Sequence, residues 1–492
     1  MPKTEEWMWF EWGVIGLYAF FLLFIFLYSL VQLDLVRRYR KRVEARKLSG
    51  GKVRTVTVQL PIYNEMYVAA RLIDHAAALN YPKSSLEIQV LDDSTDDTSD
   101  IIRERVNHWK SKGVDIVHLT RANRIGFKAG ALADGLRSAK GELVAIFDAD
   151  FVPARDFLTA TTAYFEDTGV GMVQARWEHL NAKYSYLTKM QAFGLDAHFT
   201  VEQGGRSEGG CFINFNGTAG VWRKQCIVDA GGWSSDTLTE DLDLSYRAQM
   251  KDWKFIYCEG VGAPAELPAE MNALKTQQYR WTKGAAQCAV KNLPAVVASK
   301  NLSARTKLHA VFHLMNSFIF ISVFASAVLS IPLMFIRQRQ GLDSLFLAGG
   351  VVFIISLCML MGFYWTSVRA LEGSASIGSF LVRFFSFLSL SMGMSLHNAI
   401  AVVEGYAGRK SPFVRTPKFN IVNREGGWIG SRYHGRTISR LVWIELGLSG
   451  LFFWAVVQGV LSGNPGLLPF HLLLALGFLA VGGMSVKHAF QG

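Results

Sequence analysis

Apolar residues gather at the two ends of this chain and thin out between residues 37 and 306, where charged and apolar positions mix. Residues 13–33 contain no Asp, Glu, Lys or Arg. At about 1.5 Å per residue such a run crosses a hydrocarbon core of ~30 Å as one helix. Residues 308–336, 344–368, 446–463 and 467–486 are also free of formal charge and predict four more spans, the last two separated by the turn residues Asn464, Pro465 and Gly466. Residues 384–403 differ. Ser386, Ser389, Ser391, Ser395, His397 and Asn398 interrupt the run and Arg383 precedes it, which predicts an interfacial helix.

The middle of the chain changes period. TVTVQL, LEIQVL, DIVHL and ELVAIF read as strands, and helical patterns near residues 66–79, 96–110 and 128–138 separate them. This rhythm predicts an α/β fold with a mostly parallel, doubly wound sheet, in which ligands bind beyond the carboxyl ends of the strands. Polar residues stand at those ends: Tyr63, Asn64 and Glu65, then Asp92 and Asp93, then Asp148 and Asp150. A long amphipathic pattern from Pro268 to Leu293 suits a helix lying along a membrane face.

The net charge of +11 raises nucleic acid as a partner, but much of the basic charge sits beside the apolar runs, where lipid headgroups attract it. Membrane lipid, and no nucleic acid, is the expected partner. Arg37, Arg38, Arg40, Lys41, Arg42, Arg46 and Lys47 follow the first run, whereas Glu5, Glu6 and Glu11 precede it. That asymmetry argues against a cleaved leader and places the middle of the chain in the cytoplasm. The five cysteines show no metal-ligand spacing and are expected as free thiols.

Several residues suit the transfer of a group from a nucleotide. Asp148 and Asp150, two apart at a strand end, point to one side and suit a hard cation, Mg2+ or Mn2+, although such a triplet arises by chance about once in a chain of this length. Thr239, Glu240 and Asp241 precede an amphipathic stretch, where acids serve either as helix caps or as a general base. The pattern of Gln277, Arg280 and Trp281 is sharper: on the order of 0.01 matches are expected by chance. Its Arg can fork onto phosphate and its Trp can face a sugar ring.

The order LPIYNE, LDDS, KAGAL, FDADF, TEDLDLSYR and QQYRW over residues 55–285 resembles the processive family-2 glycosyltransferases, cellulose synthase and the cellulose synthase-like mannan and glucan synthases. DAHFTVEQ and FNGTAGVWR look more like the cellulose synthase-like group; cellulose synthase itself usually carries a Cys where Gly217 stands. The resemblance implies a GT-A, Rossmann-like catalytic domain. Tyr63, Glu65, Asp92 and Asp93 would contact the nucleoside, Lys128 and Arg280 the diphosphate, and Asp148 and Asp150 the donor and metal. Asp241 would be the catalytic base with Glu240 beside it, and Gln277 and Trp281 would bind the acceptor. It also implies an inverting, metal-dependent transfer that yields a β-linkage. FVRTPK resembles a gating loop through Phe413, Thr416 and Lys418, but Arg415 stands where the family prefers an apolar residue. A cytoplasmic loop there requires an even number of spans between residues 308 and 412, which agrees with an interfacial 384–403.

The expected layout is a first membrane helix over 1–36, a cytoplasmic glycosyltransferase domain over 37–266, and an interface helix over 267–300. A membrane region over 301–488 follows, with an interfacial segment at 380–404 and the gating-like loop at 409–420. The expected activity is polymerisation and export of a β-linked glucan or mannan at the inner (plasma) membrane. UDP-glucose is placed ahead of GDP-mannose as donor. A single-transfer enzyme acting on a ceramide or polyprenyl phosphate is the rival, because some of those share the Arg-Trp signature. A transporter or receptor is disfavoured, since the charged residues lie in or beside the soluble segment. No segment resembling a cyclic-nucleotide sensor follows residue 486, so no second-messenger control is expected. Nothing in the sequence decides the oligomeric state.

Overall fold

The computed structural model describes residues 5–42, 52–340, 342–435, 437–463 and 465–491. Arg46 and Lys47 of the basic cluster and Asn464 of the last turn lie outside the described residues.

After the first helix, α1 (Glu5–Lys41), strands β1 (Val56–Ile62), β2 (Leu86–Asp92), β3 (Ile116–Thr120) and β4 (Leu143–Ile146) alternate with α2 (Ala69–Ala77), α3 (Thr98–Ser111) and α4 (Phe127–Ser138). The four strands are parallel in the order β3-β2-β1-β4. The chain moves outward from β1 to β3 and then returns to the other side of β1, so β1 and β4 flank a topological switch point. The alternation in β1 and β2 looks half-exposed in sequence, yet both faces are covered. Val58, Leu60, Ile88 and Val90 join the large core, while the polar set pairs across the strands: Thr57 with Glu87 at 2.6 Å and Gln59 with Gln89 at 3.0 Å.

Three further strands complete the sheet: β5 (Val170–His179), β6 (Gly220–Arg223) and β7 (Lys254–Ala265), giving the order β3-β2-β1-β4-β6-β5-β7. The short β6 runs antiparallel to β4 and β5, which makes the sheet mixed. Around these strands lie α5 (Phe157–Thr162), α6 (Tyr186–Ala197), α7 (Gln203–Glu208), α8 (Lys224–Asp229) and α9 (Glu240–Gln249). The end of α1 is built into this domain. Val36 and Tyr39 are buried with Ala197 and Val201, and the Tyr39 hydroxyl donates to Glu259 at 2.6 Å.

Beyond the sheet run α10 (Met271–Ala298), α11 (Ala304–Leu314), α12 (Phe318–Gln340), α13 (Asp343–Glu372), α14 (Ile377–Gly393), α15 (Ser395–Tyr406), α16 (Arg440–Leu461) and α17 (Leu468–Phe490). Among the described residues, five helices are long and apolar enough to cross a membrane: Met8–Lys41, Phe318–Arg337, Asp343–Glu372, Arg440–Leu461 and Pro465–Phe490. The stretch 308–336, expected as one span, is divided. α11 stops at Leu314, and its uncharged polar residues turn toward protein rather than lipid: His309 Nε2 lies 2.9 Å from Asp34, and His313 Nδ1 lies 2.8 Å from the Tyr246 hydroxyl.

α14 and α15 meet at Met394 with a 51° bend and together are apolar enough for one broken span or a re-entrant turn. Gly393 lets α14 touch α17, because a Cβ there would stand 2.2 Å from the carbonyl oxygen of Gly477. The polar residues that interrupt this stretch hold it to α10. His397 Nε2 lies 3.0 Å from the Lys275 carbonyl oxygen, and Glu404 accepts from Lys283 at 2.9 Å and from the Tyr279 hydroxyl. A buried ion pair, Lys275 to Glu445 at 2.7 Å, joins α10 to α16.

Candidate active site

One cleft opens at the carboxyl ends of β1 and β4. It is lined by Tyr63, Glu65, Asp93, Lys128, Asp148, Asp150, Glu240, Asp241, Gln277, Arg280, Trp281, Phe413, Thr416 and Lys418. These residues span more than 350 positions of sequence, and the switch point, the α9 N-terminus, α10 and the loop after α15 bring them together.

Asp92 is the exception. It points away from the cleft and is buried, accepting from Ser94 N–H at 2.8 Å and the Ser99 hydroxyl at 2.7 Å, with His118 Nε2 at 2.9 Å. Burial opposes its charge, but those hydrogen bonds outweigh it and hold the carboxyl below its usual range. Asp92, expected beside Asp93 at a nucleoside, is thus engaged within the β2 loop that presents Asp93 and does not line the cleft. Asp93 faces the cleft while Arg121 grips both its oxygens, at 2.9 and 2.5 Å.

Lys128, in the first turn of α4, reaches Asp148 at 2.5 Å and the Gly217 carbonyl oxygen at 2.9 Å. Burial works against the ammonium, yet Asp148, Glu240 and Asp241 hold its pKa above the usual value. Asp150 is buried and accepts from Lys418 at 2.7 Å and from the Glu266 N–H at 3.2 Å. Each of the two carboxylates thus spends one oxygen on a lysine, and among the described residues no hydrogen-bond donor reaches the other oxygen. No group of three or more His, Cys, Asp or Glu side chains is placed to cage a metal among the described residues. Two hard carboxylates, each with an oxygen to spare, fit a divalent cation.

Glu240 and Asp241 open α9. Thr239 makes no side-chain cap; its hydroxyl packs on Cys288 of α10 at 3.4 Å. Burial raises both carboxyls, and neighbouring Glu240 adds to the effect on Asp241, which is held up to about 7. A buried acid poised near neutrality beside cationic groups suits proton abstraction. Gly217 leaves room for it: φ is +80°, and a Cβ there would lie 3.0 Å from Asp241 Oδ2 and 3.4 Å from Lys128 Nζ. Gly217→Ala should lower kcat about ten- to a hundredfold while the protein still folds, as measured by nucleotide release and thermal melting.

The 409–420 loop lies across the cleft. Phe413 stacks on Phe127, with ring centres 5.6 Å apart, and sits 4.6 Å under the Arg280 guanidinium. Thr416 accepts from Arg280 at 2.9 Å, and Lys418 holds Asp150 and the Glu266 carbonyl oxygen. Phe419, Ile421 and Trp428 seal the far side against Ala269.

Sequence reasoning missed Arg124, whose guanidinium lies 3.3 Å over the Tyr63 ring and near Asp93. Its place after β3 is the same strand-end signal that marked the others. It also missed Trp177 on β5, whose ring centre is 6.4 Å from that of Trp281 and which lines the cleft beside it.

The fold and cleft define a glycosyltransferase of GT-A architecture joined to membrane helices. Residues 54–284 match the family described as Glycosyltransferase like family 2. The chain is 36% identical over 414 residues to Glucomannan 4-beta-mannosyltransferase 1 of Oryza sativa subsp. japonica, covering 81% of this chain and 76% of that protein. It is 34% identical over 427 residues to Glucomannan 4-beta-mannosyltransferase 2 of Arabidopsis thaliana, covering 83% and 76%. The match to Glucomannan 4-beta-mannosyltransferase 9 of Arabidopsis thaliana, 41% over 271 residues, spans about half of each chain. Among solved structures, a mannosyltransferase from Pyrobaculum calidifontis in complex with GDP-Man and Mn2+ aligns with a TM-score of 0.56 at 19% identity, covering 81% of this chain and all of that one. This chain belongs to glycosyltransferase family 2, in its cellulose synthase-like, mannan synthase branch.

Proposed function

We propose that the protein polymerises a β-linked mannan or glucomannan from GDP-mannose, with its catalytic domain on the cytoplasmic side of a plasma membrane. The observation that carries this reading is the meeting of Asp241 with Lys128 and Arg280 in one loop-covered cleft beside membrane helices. Sequence alone places UDP-glucose first. The relatives named as mannosyltransferases and the GDP-Man of the Pyrobaculum calidifontis complex support GDP-mannose, and the order of donors is reversed here.

In this reading Asp241 takes the proton of the acceptor hydroxyl as that oxygen bonds to the anomeric carbon. The bond from that carbon to the diphosphate breaks in line, and Lys128 and Arg280 hold the charge on the departing oxygens. Inversion at an α-linked donor gives a β-linkage. Asp148 and Asp150 would hold Mg2+ or Mn2+, which supplies further neutralisation of the diphosphate. Gln277 and Trp281 face the growing chain, and Phe413, Thr416 and Lys418 exclude water from above.

The test is nucleoside diphosphate release by purified protein in nanodiscs with Mg2+ or Mn2+, across GDP-mannose, UDP-glucose and UDP-N-acetylglucosamine, with product size recorded. GDP-mannose should give sustained turnover and high-molecular-weight product. Turnover with UDP-glucose alone would move the reading to a glucan, and a lipid-sized product would replace the polymerase with a single-transfer enzyme.

A further inference from the structure

We propose that Arg415 and Glu65 together read the keto edge of the donor nucleobase and prefer guanine, an inference that rests on the nucleotide-sugar reading above. Arg415 departs from the apolar residue expected in this loop, yet it has a fixed place. Its guanidinium lies 4.1 Å over the ring of Tyr433. Tyr433 in turn donates to Asp96 at 2.5 Å and accepts from the Met66 N–H at 3.4 Å, so Arg415 is tied to the loops that follow β1 and β2. Those loops also carry Tyr63 and Asp93, at the β1–β2 end of a cleft whose β4 end holds the Lys128–Asp148 pair that suits the phosphates.

Arg415 Nη1 stands 3.6 Å from Glu65 Oε1, beyond hydrogen-bond range, and is buried without a hydrogen-bond partner among the described residues. A donor left in that state costs stability, and a ligand edge lying along both groups would relieve the cost. A carboxylate beside a guanidinium offers an acceptor next to a donor. That pair complements an N–H beside a C=O, which is what guanine presents at N1 and O6 and uracil at N3 and O4. Adenine and cytosine present the reverse polarity. Guanine alone adds an exocyclic amine for the second oxygen of Glu65, and Arg is well matched to guanine acceptors.

The experiment is calorimetric binding of GDP, IDP, UDP, ADP and pyrophosphate to the full chain in nanodiscs, for wild type, Arg415→Leu and Arg415→Lys. Wild type should bind GDP more tightly than IDP, and IDP more tightly than ADP. Arg415→Leu should weaken GDP and IDP by about tenfold or more, bring GDP close to ADP, and leave pyrophosphate unchanged. Arg415→Lys, which keeps the charge without the fork, should fall between. Equal losses for every nucleotide and for pyrophosphate would overturn the proposal by assigning Arg415 to phosphate, and so would unchanged binding throughout. A wild type that binds GDP no tighter than ADP overturns it as well. A wild type that prefers GDP but transfers only from UDP-glucose overturns the donor reading and leaves this one standing.

Discussion

Asp241→Asn should cut sugar transfer by about a thousandfold, the scale of a lost general base, while donor binding and folding persist. Asn keeps the shape and the contact with the Leu242 N–H, which Asp241 Oδ1 accepts at 2.8 Å, but cannot take a proton. The wild-type pH profile carries a second signature. With Asp241 held up to about 7 by burial and Glu240, the base is protonated below that pH and free above it. The wild-type kcat/KM should therefore climb with pH through about 7 and level off, and the residual rate of the variant should lose that limb. The sign for stability is opposite. A raised carboxyl pKa means the folded chain keeps a proton that the unfolded chain has released, so stability falls as pH rises from the ordinary Asp range through about 7. Asp241→Asn has no such loss, and at pH 8 its melting temperature should equal or exceed that of wild type.

Lys275→Met should destabilise the protein by about 3–5 kcal/mol, the cost of removing one partner from a buried ion pair. Glu445 is fully buried, its Oε2 accepts from Lys275, and its Oε1 has no other hydrogen-bond partner. Replacing both partners, Lys275→Met with Glu445→Leu, should recover most of the loss, because no charge is then stranded. Thermal unfolding in one detergent decides the matter. Equal losses in the single and double variants would show that the pair contributes little beyond packing.

The first half of the sheet and most of the cleft were legible because both follow from one local signal, a β-branched run that ends in polar residues. That signal picked Tyr63, Glu65, Asp93, Asp148 and Asp150, and it would have picked Arg124 had it been applied after β3. It did not separate Asp92 from Asp93: adjacent residues at a strand end point to opposite sides, and of the two only Asp93 lines the cleft. The remaining strands were not read. β6 is only four residues long, and β7 carries a register shift against β5 where Ala175 gives way to Arg176. Neither keeps a period long enough to see. The break between α11 and α12 was hidden because hydropathy counts charges, and the residues that turn α11 toward protein, His309 and His313, carry none by that count. Arg415 was noticed as a departure, but its meaning needed Glu65, 350 positions away, to be placed beside it.

The end of α1 bears on how this enzyme can be handled. Leu35, Val36 and Tyr39 are almost wholly buried, and Tyr39 and Arg42 close on Glu259 at the edge of the sheet. A truncation that begins after residue 42, the natural choice for a water-soluble catalytic fragment, would remove part of the domain's own interior and expose an apolar face to aggregation. Soluble expression would then report on a damaged fold, and a poor yield would say nothing about the chemistry. A fragment that keeps residues from 34 onward retains Asp34, Tyr39 and Arg42 with their partners, and its inactivity would carry more information.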